Sequence, residues 1–292
     1  MIEHRKLTQW FEEVGRGVRA ELLKLDRRAA TWILFGVAIA ILALIPYLLN
    51  WLALSHQSAP SNPARAAQLI QLRHGLYPGG LIGKVSDTVD LTSALALILG
   101  VLMIGSEFSW GTFKTLFTQR LGRRSTLAAK LIALELALGV GMVLFFLTGG
   151  LCSGIIAALD QQPLNQWPSI TDFATAILGG WLLWGFWGLV GVTLALAFRQ
   201  SALSIGLGMA YGFVIEKILI GLAHSAGGGF LDKLTTALPG QNSTALAASF
   251  GTPLPGSPPP SISQTQAILV LLAYAAAALT ASLFLISQRE IK

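Results

Sequence analysis

Residues able to do chemistry are few in this 292-residue sequence, and they do not gather into a familiar catalytic arrangement. The histidines His4, His56, His74 and His224 are scattered, with no pair at helical spacing to hold a metal. Cys152 stands alone, which excludes an internal disulfide and a cysteine-based metal cluster. A phosphate-binding loop needs a glycine, four residues, then Gly-Lys-Ser/Thr. Gly83-Lys84 fails that test, because Pro78 occupies the first position and Val85 follows the lysine. Gly206 and Gly208 begin a dinucleotide fingerprint, but Tyr211 stands where its third glycine belongs. No serine sits in a Gly-x-Ser-x-Gly setting. The chain is therefore not expected to be an enzyme, and it carries no recognisable ATP site.

What remains is a small set of ionisable groups in or beside long apolar runs, where such groups can mark a substrate or ion pathway. Glu135 falls about one turn past Lys130 and reads as an interfacial charge whose head reaches water. Glu216 and Lys217 lie deeper, ~22 Å along their run by helical rise, and neighbouring residues on a helix point about 100° apart. Two roles stay open for them: a buried structural one, or a place on a transport path. The most concentrated polar segment runs from Gly105 through Glu107, Trp110, Gly111-Thr112 and Lys114 to Arg120, Arg123, Arg124 and Lys130. An acid near its start and bases towards its end suit a short helix dipole. The segment also offers a handle on the two apolar runs that it joins.

The elements that carry these groups must be membrane helices. Charged residues are 12% of the chain against about 25% in an average soluble protein, so it cannot build a charged skin. Hydrophobic residues are 53% and the mean hydropathy is +0.65, which excludes a disordered chain, a nucleic-acid binder and an ordinary soluble enzyme. Six runs are long enough to cross ~30 Å of hydrocarbon as helices: Thr31–Leu54, Val85–Ile104, Leu131–Leu159, Phe173–Phe198, Ala202–Ala223 and Ala267–Ile286. The first run is too long for a signal-peptide core and is expected to be kept as a span. Fifteen Lys and Arg residues fall on one side of these spans and four on the other, which sets both termini in the cytoplasm.

Ahead of the first span, Leu7, Trp10, Phe11, Val14, Val18, Leu22 and Leu25 form an apolar stripe at helical spacing, with Arg16, Arg19, Lys24 and Arg27 largely off it. That pattern suggests an amphipathic helix in the headgroup layer. The expected organisation is thus an all-α membrane protein: an interfacial helix over 1–30, a six-span domain over 31–286 and a cytoplasmic tail over 287–292. Outer loops are expected at about 55–84 and 224–266, the second with an extended Pro-rich tract from Pro253 to Pro260. A cytoplasmic loop is expected at about 105–130. Gly150 with Gly154, and Gly208 with Gly212, suggest close helix approach. Trp181, Trp184 and Trp187 suggest a face against lipid or a partner helix, and Pro46 a kink in span one.

The segment between spans two and three resembles the permease subunits of type-2 ATP-binding cassette (ABC) exporters. Their pattern is an acid, a Gly-Thr pair a few residues on, then an arginine followed seven residues later by a lysine that opens span three. Glu107, Gly111-Thr112, Arg123 and Lys130 occupy those positions, and Arg120 stands where many members carry a proline. Leu238-Pro239 with Ala245-Leu246 is similar to a weak element before the last span, and Arg289-Glu290 is similar to the family's tail. The resemblance implies a permease that forms half of a translocation path in the plasma membrane, with a second copy or paralogue supplying the other half. Two separate ATPase subunits, carrying ATP and Mg, would dock on the loop through Glu107, Gly111, Thr112, Arg120, Arg123, Arg124 and Lys130. Scarcity of charge in the spans favours a hydrophobic or amphipathic cargo. Rival readings are an ion-coupled secondary transporter and a structural membrane anchor.

Overall fold

A computed structural model of the chain describes residues 2–57, 62–109, 122–225, 229–251 and 261–287. All regular structure among them is helical. Among the described residues, five helices are long and apolar enough to cross a membrane: Ala29–Ser55, Pro78–Phe108, Arg124–Leu159, Ile170–Phe198 and Gln264–Ser287. Their outward positions are apolar, including Trp32, Ile33 and Leu49 on the first and Val140, Leu147, Leu151 and Ile155 on the third. That inverted pattern is what a helix facing lipid carries.

Before the first of these comes α1 (Ile2–Arg27), followed by α2 (Ala29–Leu42), a π-helical turn (Ala43–Leu49) and α3 (Asn50–Ser55) in one continuous run. The π turn is centred on Pro46, whose missing N–H breaks the regular ladder, and Asn50 Nδ2 donates to the Pro46 carbonyl at 3.1 Å. The outer loop expected after it, irregular or partly helical, contains α4 (Pro63–His74), opened by Asn62, whose side chain accepts from the Ala64 N–H at 2.9 Å. A short 3₁₀ turn (Pro78–Gly80) then leads into α5 (Leu81–Ser109), so the second span begins about a turn earlier than its apolar run.

α5 runs through the middle of the molecule, with Val85, Val89, Thr92, Leu97, Val101 and Ile104 all enclosed. Its main partner is α7 (Ile170–Phe198). The two cross where Gly100 meets Gly188 and Gly191 meets the Leu97 carbonyl, so close that a Cβ at Gly100 or Gly191 would strike backbone. These, not the two glycine pairs picked out by spacing, make the tightest helix crossing. Gly150 and Gly154 instead lie under the Trp167 ring, and Gly208 and Gly212 receive the Leu97 and Trp187 side chains. α6 (Arg123–Leu159) flanks α5 and α7, and α12 (Gln264–Ser287) packs on α7, where Thr193 Oγ1 and Ser282 Oγ lie 2.9 Å apart. The tryptophans of α7 point at neighbouring helices. Trp184 packs edge-on against Phe145, and Trp181 Nε1 donates to the Glu135 carbonyl at 2.9 Å.

Arg199, at φ +57°, ends α7 in the left-handed conformation and turns the chain into α8 (Ser201–Ala210). A second π turn (Tyr211–Ile215) then leads to α9 (Glu216–Ser225). The run read as a fifth span is therefore helical throughout but interrupted at its centre. The outer loop expected after it holds α10 (Phe230–Thr235) and α11 (Pro239–Ala248). α11 is no surface excursion: Asn242, Ser243 and Leu246 are fully buried, and it packs against α5, α7 and α12. The expected extended tract from Pro253 to Pro260 and the Arg289-Glu290 tail lie outside the described residues.

At the end of the bundle away from α1, Asp160 closes α6. It accepts from Trp51 Nε1 at 3.0 Å, Tyr77 Oη at 2.9 Å and Arg73 Nη2 at 3.4 Å, which ties three elements together.

Candidate functional site

The α1 stripe divides between two surroundings. Val14 and Leu25 are buried, Val18 and Leu22 pack against the core, and Gly17 lets the helix settle onto Ala129 of α6. Trp10 and Phe11, nearer the start, stay exposed. Glu21 belongs to the inward face, seven residues from Val14 and four from Leu25, and so an acid enters a protein interior. It is met there by the end of α5 and the start of α6.

Lys130 Nζ, with its side chain 1% exposed, lies 2.6 Å from Glu107 Oε1 and 2.9 Å from Glu21 Oε1. Lys24 Nζ lies 2.6 Å from the same Glu21 oxygen and 3.3 Å from the same Glu107 oxygen. Two acids and two bases from three helices thus form one neutral, largely buried ring. Arg28 Nη1 adds a link from the α1–α2 junction to the Leu102 carbonyl at 3.3 Å. Burial pushes the Glu21 carboxyl up, but Lys130 and Lys24 outweigh it and hold it below its ordinary value. Burial pulls the Lys24 ammonium down, and its two carboxylate partners more than restore it.

The sequence places Glu107 at the start of a short helical segment, where an acid suits the dipole. In the structure it sits in the last turn of α5, where the dipole opposes a negative charge. The two lysines reverse that penalty. Glu107 and Lys130 therefore face inward as the roots of the 105–130 segment and do not offer a docking surface themselves. Arg124 is exposed at the start of α6, and Arg123 opens that helix with its side chain outside the described set. Gly111, Thr112 and Arg120 also lie outside the described residues.

The second gathering of polar groups is around Glu216. Its carboxylate is buried and accepts from the backbone N–H groups of Gly240 at 3.0 Å and Gln241 at 2.7 Å. Those are among the free donors in the first turn of α11, so Glu216 caps that helix from the neighbouring α9. Beside it a cavity of about 390 Å³ is lined by Asp90, Ser93, Leu97, Trp187, Lys217, Gln241 and Thr244, among others. Thr244 Oγ1 donates to Asp90 Oδ2 at 2.9 Å, and Trp187 Nε1 donates to Ser243 Oγ at 3.2 Å. The structure thus brings Glu216 and Lys217 to one cavity and gives them separate duties: one holds a helix in place, the other faces open space. Among the described residues, no group of three or more His, Cys, Asp or Glu side chains could hold a metal ion.

Four participants escape the sequence reading. Glu21 had a visible signal, since it continues the inward spacing of Val14, Val18 and Leu25. Lys24 follows from it at one helical turn. Asp90 lies inside an apolar run beside Asp87, and either acid could have been singled out there. Thr244 belongs to a helix whose polar sequence reads as loop.

Residues 18–215 match the ABC-2 family transporter proteins. The chain belongs to that family. The match takes in the whole charge ring and both long crossing helices, and it ends one residue short of Glu216. No individual curated protein matches the chain. An ABC-2 family protein of this kind is a multi-pass membrane component of an ABC transporter, not its catalytic part, and it works with ABC ATPase subunits.

Proposed function

We propose that the chain is the permease subunit of an ABC exporter, forming half of the path and coupled to two separate ATPase subunits. A second permease, identical or paralogous, supplies the other half. Both termini are cytoplasmic in this reading, and the protein lies in the plasma membrane. The helical run from Ser201 to Ser225 is its remaining crossing, and the exposed Trp10 and Phe11 of α1 dip into the inner headgroup layer.

The observation that carries the coupling is the ring of Glu21, Lys24, Glu107 and Lys130. A cytosolic ATPase that pushes on the 105–130 segment acts between Glu107 at the end of α5 and Lys130 near the start of α6. Because both groups share a buried network with α1, displacement at the segment is transmitted to three helices together. α5 also walls the cavity at Asp90, Ser93 and Leu97, so its tilt changes the shape of the path. Arg123 and Arg124 supply docking charge outside the ring, with Gly111, Thr112 and Arg120 completing the contact. ATP and Mg belong to the partner.

The test is joint replacement of Arg123→Ala and Arg124→Ala in the reconstituted complex. The expected result is normal membrane insertion with lost or sharply reduced substrate-stimulated ATP hydrolysis. Unchanged stimulation at normal insertion overturns the docking role.

A further inference from the structure

The chemistry of the cavity narrows a hydrophobic or amphipathic cargo further. Of its ionisable lining groups, Glu216 is spoken for, with both carboxylate oxygens taken by α11 N–H groups. Asp90 accepts from Thr244 through one oxygen and is drawn to Lys217, but among the described residues neither Asp90 nor Lys217 lies within salt-bridge distance of an opposite charge. Asp87 is about one turn before Asp90 in α5, outside the lining. A carboxylate and an exposed ammonium, close enough to act on each other electrostatically, therefore share a space whose other walls include Ala94, Leu97, Trp187 and Ile220. Ionisable groups set among the apolar helices of a transporter are candidates for ligand contact.

We infer that this cavity binds amphipaths with a zwitterionic polar end, an ammonium group on Asp90 and an anionic group on Lys217, their apolar body against Leu97 and Trp187. A zwitterionic end gives each group an opposite charge at hydrogen-bonding range, which a singly charged ligand does for one of them and an uncharged apolar molecule for neither. The inference rests on the permease reading and names its substrate class.

The probes are the dipeptide Leu-Phe and its N-acetylated, C-amidated and doubly blocked forms. Binding is measured by titration calorimetry on the purified full chain with whatever subunits accompany it. Leu-Phe is expected to bind about ten-fold or more tighter than either singly blocked form, since each block removes a charge-assisted hydrogen bond. Asp90→Asn, which keeps an acceptor for Thr244, should abolish the penalty for acetylation and retain that for amidation. Lys217→Gln should do the reverse. Equal binding of all four probes, binding of none, or loss of both preferences in either variant overturns the inference. Co-purification of an ATPase with each variant separates the two levels of the argument. If the ATPase is retained and selectivity is absent, the zwitterion assignment fails while the permease reading stands. If no ATPase accompanies even the native chain, the permease reading fails whatever the probes show.

Discussion

Lys130 illustrates how much can depend on one side chain in this molecule. Its ammonium is enclosed and faces two carboxylates, so Lys130→Met leaves the buried Glu107 and Glu21 with one part-exposed ammonium, Lys24, between them. Removing one partner of a buried ion pair costs about 3–5 kcal/mol, whereas removing both charges together costs much less. The single variant should therefore lose thermal stability by a wide margin, and Lys130→Met with Glu107→Leu should recover much of it. Tryptophan fluorescence on heating in detergent would measure both. The pH dependence has a definite sign. Because the folded Glu21 carboxyl titrates below its ordinary 4.5, its contribution is fully present above about pH 4.5 and is lost as the pH falls through the lower folded value. Glu21→Gln should make the acid-side decline of the melting midpoint shallower. An unchanged decline would show that Glu21 does not contribute to docking α1.

Among the elements, the crossing of α5 and α7 depends on glycine where backbone meets backbone. Gly191→Leu, whose side chain would start against the Leu97 carbonyl of α5, should separate the helices and cost about 1–3 kcal/mol or more, while Gly206→Ala, with open space around it, should be nearly neutral. Expression and monodispersity on size-exclusion chromatography would distinguish them. Glu216→Gln should loosen α11 by about 1 kcal/mol, since a neutral amide caps a helix less well than a carboxylate. Faster proteolysis of that helix is the expected readout. Helix length and apolar composition made the long spans legible in the sequence, and Pro46 marked an irregularity in the first, which the structure forms as a π turn. α11 was not legible, because Pro239-Gly240-Gln241-Asn242-Ser243-Thr244 has the composition of a turn. It folds inward because Glu216 satisfies its first N–H groups and Asn242 Nδ2 returns to the Thr236 and Leu238 carbonyls at 2.8 Å each. Those partners come from tertiary structure, which local pattern does not report. The pairing of Glu107 with Lys130 was half visible: their spacing suggested one functional segment, but not that both would turn inward onto α1.

At the scale of the molecule, two polar features lie along the central helix α5. The ring sits at its Glu107 end and the cavity begins at Asp90, 17 residues earlier. A helix of that reach spans about 25 Å between them, so a rigid tilt at one end is felt at the other. In the proposed function, force enters near Glu107 and Lys130, and the cavity responds near Asp90 and Lys217. The account depends on an ATP-hydrolysing partner. The most direct measurement is purification of the tagged full chain from its native membrane in mild detergent, with ATPase activity assayed in the eluate. The predicted result is a co-eluting P-loop ATPase whose activity falls when residues 107–130 are altered. A folded chain that elutes without any ATPase would contradict it.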